Sequence, residues 1–436
     1  MPETFRAPIG TQDVLPPESA RWRTLVATFA GVAERFGYGL VHGPLFEELA
    51  VFERLGAGTD VVRKEMYDFH DKGDRHLALR PEATASVARA FVQHRPPTPW
   101  KVWCVTPAFR YERPQAGRLR QHHQLDVEVL GAADPDVDVE IISLGATYLT
   151  ALGLRRWRLV LNTMGTPADR EAYAATLTAW LRERAADLPA EDRDKVESHP
   201  LRVLDSKRPA TQALVADAPR MVDVLDAESR AHFERVQAGL GALAIPFEID
   251  TRLVRGIDYY THTLFEFQSE ALETAQSTII GGGRYDGLVE QLGGPPTPGI
   301  GFGSGIERVL LACDAEGVLA APDSALDVFV VDVTDGAAAR DLVHQLRLAG
   351  LRADRAFDRR SLRSQMRAAG GSGARVAVII GEREVADGTA TVRDLGQSEQ
   401  DVVPRDTVVD RVRKLIETPV PADGDPPPPA PTAEAE

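Results

Sequence analysis

Cysteine is nearly missing from this chain. Among 436 residues only Cys104 and Cys313 occur, far apart in sequence. That excludes a disulfide framework and a cysteine-rich zinc site, and a reducing cytoplasm is the expected compartment. Lysine is confined to Lys64, Lys72, Lys101, Lys195, Lys207 and Lys414, so nearly all of the 50 basic residues are arginine. No apolar run reaches the roughly 18 residues that a membrane-spanning helix needs. The start, MPETFRAPIGTQD, lacks the charged-then-apolar pattern of a secretory signal. Positive charge is in deficit: 50 bases face 65 acids, a net charge of −15. This argues against wholesale coating of nucleic acid or anionic membrane, and leaves room for a local basic surface that binds RNA.

What is present is ordinary for a globular protein, with 43% hydrophobic and 26% charged residues. At roughly 100–200 residues per domain the length implies two to four domains. Trp22, Leu25, Val26, Phe29, Val32, Ala33 and Phe36 recur at helical spacing, so a helix is predicted from Glu18 to Phe36. A second helix is predicted from Glu82 to His94, stopping before the PPTP run at 96–99. Trp100–Tyr111 and Gln121–Gly131 read as a long antiparallel hairpin joined by a polar loop. Residues 169–240 read as helical and charged. Strand patterns resume at 247–249 and 264–268, so the helical stretch looks inserted between two halves of one domain. From Leu326 strands and helices alternate: strands at 326–333 and 375–380, helices at 337–349 and 405–416. This implies a separate α/β domain. The last segment, 417–436, is rich in proline and acid without a base and reads as a disordered tail.

Three segments carry chemistry. In FRYERPQAGRLRQHHQLDVEVLG (109–131), Arg110, Arg113, Arg118 and Arg120 surround Glu112. Strand alternation would put Arg110 and Glu112 on one face, where a guanidinium fork suits phosphate oxygens. A solvated basic turn is the plainer reading. GIGFGSGIERVL (299–310) spaces glycines at every second residue before a helix whose first turn holds Arg308. Glycines here permit close backbone approach, either for packing or for a nucleotide phosphate. No P-loop and no clean dinucleotide fingerprint occurs. LVRGIDYYTHTLFEF (253–267) sets Arg255 and Asp258 beside Tyr259 and Tyr260.

Together these segments resemble the class II aminoacyl-tRNA synthetases. LVRGIDYY, GGGRYDGL and HPLRVLDSK narrow the resemblance to the histidyl-tRNA synthetase family, from Gly10 to about Ile416. The segment 109–124 looks like the class's second motif and 299–310 like its third. Pro44 stands where the first, dimer-forming motif has its proline. The resemblance implies an α+β catalytic domain with an antiparallel sheet (1–168 and 241–322), a helical insertion domain (169–240) and an α/β anticodon-binding domain (326–416), followed by the tail.

It also implies activation of L-histidine by ATP, then esterification of tRNA(His), in a cytoplasmic homodimer without DNA or membrane partners. By similarity, Glu82 and Thr84, flanking Ala83, would bind the α-amino group together with Gln124. Glu128 and Tyr260, helped by Tyr259 and Tyr285, would read the imidazole. Arg110 would hold the α-phosphate and Arg308 the γ-phosphate. Glu112, Arg118, Arg120 and His122 would line the ATP site, with Glu112 at the adenine amino group or neighbouring ATP atoms. Arg255 would hold the histidine carboxylate against the α-phosphate, so Arg255 and Arg110 are the expected catalytic residues. Mg²⁺ would share the β/γ charge.

The chain departs from the family at three places. His122 replaces a phenylalanine that stacks on adenine, and an imidazole there would be charged below about pH 6.5. Ala83 replaces a glycine, and His262 is unusual after the tyrosines. In the last domain six arginines between Arg352 and Arg367 face only Asp354 and Asp358, a patch able to meet phosphates. Two rivals remain: the non-catalytic regulatory subunit of ATP phosphoribosyltransferase, and an RNA-binding or signalling protein on a vestigial synthetase fold. The arginines Arg110, Arg255 and Arg308 and the C-terminal domain favour the enzyme.

Overall fold

The computed structural model describes residues 4–54, 64–206, 208–254, 259–272, 277–321, 326–357, 360–397 and 399–417. The expected tail after Glu417 therefore lies outside the described residues, as do Lys207, Arg255, Asp258, Asp358 and Arg359, while Glu417 itself ends a helix. The chain forms two compact units, Met1–Ala320 and Ala321–Glu436.

The first unit contains β1 (Gly39–Leu40), β2 (Phe46–Glu48), β3 (Asp68–His70), β4 (His76–Leu79), β5 (Trp100–Phe109), β6 (Gln121–Leu130), β7 (Trp157–Thr163), β8 (Glu248–Ile249), β9 (Thr261–Ser269), β10 (Thr278–Arg284) and β11 (Gly299–Gly305). Eight of these make one sheet in the order β1-β5-β6-β11-β10-β9-β7-β8, and β2-β4-β3 form a small second sheet. The six inner strands of the large sheet are antiparallel; only the edge strands β1 and β8 pair in parallel. β5 and β6 form the long hairpin, in register from Trp100↔Leu130 to Phe109↔Gln121.

Strand alternation gives this sheet two unlike faces. Leu125, Val127 and Val129 of β6, Ile300 and Phe302 of β11, Phe265 and Phe267 of β9, and Leu159 and Leu161 of β7 are buried in one core. Helix Glu18–Arg35 adds Leu25, Phe29 and Val32, and helix Pro135–Ala151 adds Ile141, Ile142, Leu144 and Leu149. Burying side chains of this size stabilises the fold by about 1.5–3 kcal/mol each. The other face carries the intervening residues of β6, which are His122, Gln124, Asp126 and Glu128.

The helical stretch does not pack as one body. Tyr173, Leu177, Leu181, Val203, Val215, Met221 and Leu225 form a small core of their own. Helix Ala227–Ala242 instead sends Phe233, Val236 and Leu240 into the main core. At its side, Arg284 is fully buried and grips Asp138 with Nε and Nη2, at 2.8 and 2.6 Å to Oδ2. Its remaining donors reach the Ala132 and Asp134 carbonyls. His232 also meets Asp138 at 3.2 Å. Burial alone would raise the Asp138 carboxyl; the His232 hydrogen bond and the Arg284 charge outweigh that and hold it below the usual range.

The second unit contains β12 (Val328–Asp332), β13 (Ala353–Arg355), β14 (Val376–Ile380), β15 (Thr389–Asp394) and β16 (Gln400–Pro404). They form one sheet in the order β13-β12-β14-β15-β16. β12 pairs in parallel with β13 and β14, and β15 and β16 continue antiparallel. Val328 and Val330 enter one apolar cluster and Phe329 and Val331 another. β12 is thus covered on both faces, which explains its unbroken apolar sequence.

Candidate functional site

The polar face of the large sheet is a trough. Gly301 of β11 lies opposite Glu128, Gly303 opposite Asp126 and Gly305 opposite Gln124. On the far side Gly301 and Gly303 pair with Gly283 and Gly281 of β10. The alternating glycines of 299–305 therefore make room for the β6 side chains. A Cβ on Gly301 would stand 1.8 Å from Glu128 Oε2, and one on Gly303 would stand 2.7 Å from Gln124 Nε2 and 2.8 Å from Asp126 Oδ1.

One end of the trough is closed by the start of helix Thr84–His94. Glu82 is buried just before it, and its carboxylate accepts the backbone N–H groups of Thr84 at 3.1 Å and Ala85 at 2.8 Å. This satisfies two donors that a helix start leaves unpaired. Tyr259 also donates to Glu82, at 3.3 Å. Thr84 Oγ1 donates to Glu128 Oε1 at 2.6 Å, and Tyr285 OH donates to Glu128 Oε2. Tyr259 lies tilted on Tyr260 with ring centroids 4.7 Å apart and edge-on to Tyr285 at 5.7 Å. The expected histidine-side residues Glu82, Thr84, Glu128, Tyr259, Tyr260 and Tyr285 are thus one connected group, with Ala83 buried between two of them and Gln124 further along β6. Burial first, then the mutual repulsion of Glu82, Asp126 and Glu128, raises Glu128 well above the usual carboxylate range.

The loop 110–120 differs from the expectation. β5 ends at Phe109, so strand alternation does not govern Arg110 and Glu112. Glu112 is tied to Arg118 at 3.0 Å, and Gln115 and Arg118 close a tight turn through paired backbone hydrogen bonds. Arg110 Nε donates to the Pro81 carbonyl at 2.9 Å, which points this side chain toward the helix start. Arg120 covers the Tyr111 ring at 3.9 Å, and its backbone N–H donates to Gly10. Gly10 has a φ of +83°, and a Cβ there would strike the Arg120 side chain at 2.6 Å. Arg308, in the first turn of helix Ile306–Glu316, donates to the carbonyls of Gly117 at 3.0 Å and Thr278 at 3.1 Å. It therefore bridges the loop and β10.

His122 also corrects the expectation. Burial, and then the charges of Arg110, Arg308 and His123, lower its imidazole from 6.5 to about 3. It is a neutral ring across the whole physiological range, not one that charges near pH 6.5. His262 takes a left-handed φ of 45° and stacks on His232 with centroids 4.8 Å apart, beside the Arg284–Asp138 pair. It belongs to that structural cluster.

Two features of the site escape the motif reading. Asp126 is 3% exposed and shares the β6 face with Gln124 and Glu128; period-two alternation from Gln124 would have found it. Glu307 accepts the backbone N–H of His123 and meets its ring Nδ1 at 3.0 Å, which locks β6 to helix Ile306–Glu316. No spacing rule signals that contact.

Of the six arginines in the second unit, Arg359 lies outside the described residues. Arg352 is paired with Asp327 at 2.6 Å. Arg355 lies over the ring of Phe357 at 4.8 Å, and Phe357 is 58% exposed. A groove of about 440 Å³ there is lined by Arg340, His344, Arg347, Arg355 and Phe357.

The family model for histidyl-tRNA synthetase matches residues 10–309, and that for an anticodon-binding domain matches 327–415. The chain is 47% identical over 417 residues to a histidine–tRNA ligase of Moorella thermoacetica, covering 94% of this chain and 98% of that protein. Among solved structures, the apo histidyl-tRNA synthetase of S. aureus matches with a TM-score of 0.79 and 34% identity, over 94% of this chain and all of that one. A Bacillus halodurans protein described as an ATP phosphoribosyltransferase regulatory subunit/histidyl-tRNA synthetase shares the fold, with a TM-score of 0.61 at 19% identity, over 81% of this chain and 93% of that one.

Proposed function

We infer the division of labour in this site from one premise: the chain belongs to the histidyl-tRNA synthetase family. Its activity is that of a class II histidine–tRNA ligase. It activates L-histidine with ATP to histidyl-adenylate and pyrophosphate, then transfers the histidyl group to tRNA(His) and releases AMP.

In our reading the imidazole is held by Glu128 and the tyrosines. The connected group Thr84–Glu128–Tyr285 supports this, because a carboxylate and phenols buried together suit ring N–H donors. An analogue lacking those donors would leave a buried acceptor unpaired, so rejection of roughly 10⁴-fold is attainable without editing. Arg110 binds the α-phosphate. Its Nε is anchored on Pro81, which leaves the end of the guanidinium for phosphate oxygens. The histidine carboxylate oxygen attacks the α-phosphorus, and the bond to the bridging oxygen of pyrophosphate breaks. Arg110 stabilises the charge on the non-bridging oxygens during that step. Arg255 holds the attacking carboxylate. Arg308 meets the γ-phosphate, while Glu112, Arg118 and Arg120 frame the nucleotide and the neutral His122 ring stacks on adenine. Mg²⁺ belongs to the nucleotide substrate and shares the β/γ charge.

The second unit binds the anticodon end of tRNA(His), and the helical segment helps grip the acceptor end. The enzyme works as a cytoplasmic homodimer; Phe46 and Phe69, packed edge to face yet exposed, favour a further covering surface. The single observation that carries the reading is the group of Glu82, Thr84, Glu128, Tyr259 and Tyr285 beside Arg110. The test is ATP–pyrophosphate exchange with each of the twenty amino acids. Histidine alone should support exchange, and Arg110→Ala should lower it by about 100-fold or more, as expected for loss of a charge-stabilising donor. Absent exchange, with activation of a phosphoribosyltransferase instead, would overturn it.

A further inference from the structure

We propose that Asp126 is a further specificity residue of this site, receiving the α-ammonium group of the amino acid together with Gln124 and Thr106. This rests on the reading of the β6 face as the histidine site.

Three carboxylates line that face or its end, and their free acceptor capacity differs. Both oxygens of Glu82 are engaged by Thr84, Ala85 and Tyr259. Both oxygens of Glu128 are engaged by Thr84 and Tyr285. Among the described residues Asp126 has one hydrogen-bond partner, the weak Cys104 thiol, 3.9 Å from Oδ2, and no ion pair. Asp126 is 3% exposed and makes no ion pair among the described residues; burial raises its carboxyl well above the usual range although the charges of Arg80 and Arg110 oppose this, so the ionised form is costly. A small cation entering the trough removes that cost.

The surroundings fit an ammonium. The strip left open by Gly303 is bordered on one side by Asp126 Oδ1 and Gln124 Nε2, both under 3 Å from one point. Gln124 Oε1 is buried with no hydrogen-bond partner among the described residues. Thr106, opposite Gln124 in the β5–β6 register and 1% exposed, has a hydroxyl in the same condition. An ammonium has three N–H donors on one compact centre; the Asp126 carboxylate faces the strip, and the Gln124 amide oxygen and the Thr106 hydroxyl are acceptors without a partner among the described residues on the same face of the sheet. The Cys104 thiol draws Oδ2 toward β5, which leaves Oδ1 for the trough.

The test compares two fragments of the substrate. Histidinol keeps the amine and lacks the carboxylate; imidazolepropionate keeps the carboxylate and lacks the amine. Both are titrated as inhibitors of ATP–pyrophosphate exchange on wild type and Asp126→Asn. Histidinol should bind Asp126→Asn about ten-fold or more weakly, with imidazolepropionate and the KM for ATP within about two-fold. The charge-assisted bond lost would account for that size. Equal weakening of both fragments, or no weakening of either, overturns the assignment. Thr106→Val is the second variant, in case Asp126→Asn does not fold. It is isosteric, removes a hydroxyl without a partner, and should weaken histidinol alone by several-fold; unchanged selectivity there counts against the proposal. Failure of the functional reading itself would look different, because wild type would show no histidine-dependent exchange.

Discussion

A histidine at position 122 would ordinarily charge near pH 6.5, yet burial between Arg110 and Arg308 lowers it to about 3. The sign of the consequence follows from linkage. The unfolded chain takes up the proton as pH falls below 6.5 while the folded chain refuses it, so acid favours unfolding between 6.5 and about 3. His122→Phe removes that contribution. At pH 5 the variant should have gained about 1–2 kcal/mol over wild type relative to their difference at pH 7.5. Urea unfolding at the two pH values measures it, and an unchanged difference would show that His122 is not held neutral. The same residue scale separates roles that the motif reading joins. Glu82 and Glu128 are both named by resemblance as substrate contacts, and both meet the tyrosine group, but Glu82 also caps a helix.

At the scale of elements, glycine periodicity on β10 and β11 is the feature that creates the trough. Gly301→Ala would put a methyl 1.8 Å from Glu128 Oε2, against backbone that cannot withdraw from a paired strand. Histidine-dependent exchange should fall by about 100-fold or more, with the KM for histidine rising. Gly317→Ala, at a helix end where the side chain meets nothing, should leave exchange within about two-fold and serves as the control; its φ of +67° costs only some stability. The Arg284–Asp138 pair is the second elemental device, tying β10 to helix Pro135–Ala151. Arg284→Met would leave Asp138 buried with His232 as its remaining partner, and should destabilise the first unit by about 3–5 kcal/mol, read as a lower midpoint of thermal unfolding.

At the scale of the whole molecule, adenylation is proposed for the first unit and anticodon recognition for the second. Phe357, exposed under the Arg355 guanidinium in a groove lined with further arginines, is suited to stack on an unpaired base. Phe357→Ala should raise the KM for tRNA(His) by about ten-fold and leave ATP–pyrophosphate exchange unchanged. Parallel aminoacylation and exchange assays separate the two effects; a fall in exchange would show that the residue supports the fold instead. The net charge of −15 is therefore no obstacle to an RNA partner, because recognition depends on where arginines stand.

By itself the sequence determined the elements whose signal is local. Helix Glu18–Arg35, the β5–β6 hairpin, β11 and its following helix, and the buried β12 all follow from periodicity within a dozen residues. The motifs also led to the chemistry, since most of the expected site residues lie on or beside one trough. Only the tertiary structure decided what those residues touch. The pairing of β6 with β11 joins segments far apart in sequence, and it alone sets Gly301 against Glu128 and Gly303 against Asp126. Strand alternation failed for Arg110 and Glu112 because β5 ends at Phe109, before either residue. The neutral state of His122 and the spare acceptor on Asp126 arise from desolvation and from which neighbours take each lone pair. These are properties of an assembled environment, so no stretch of sequence carries them.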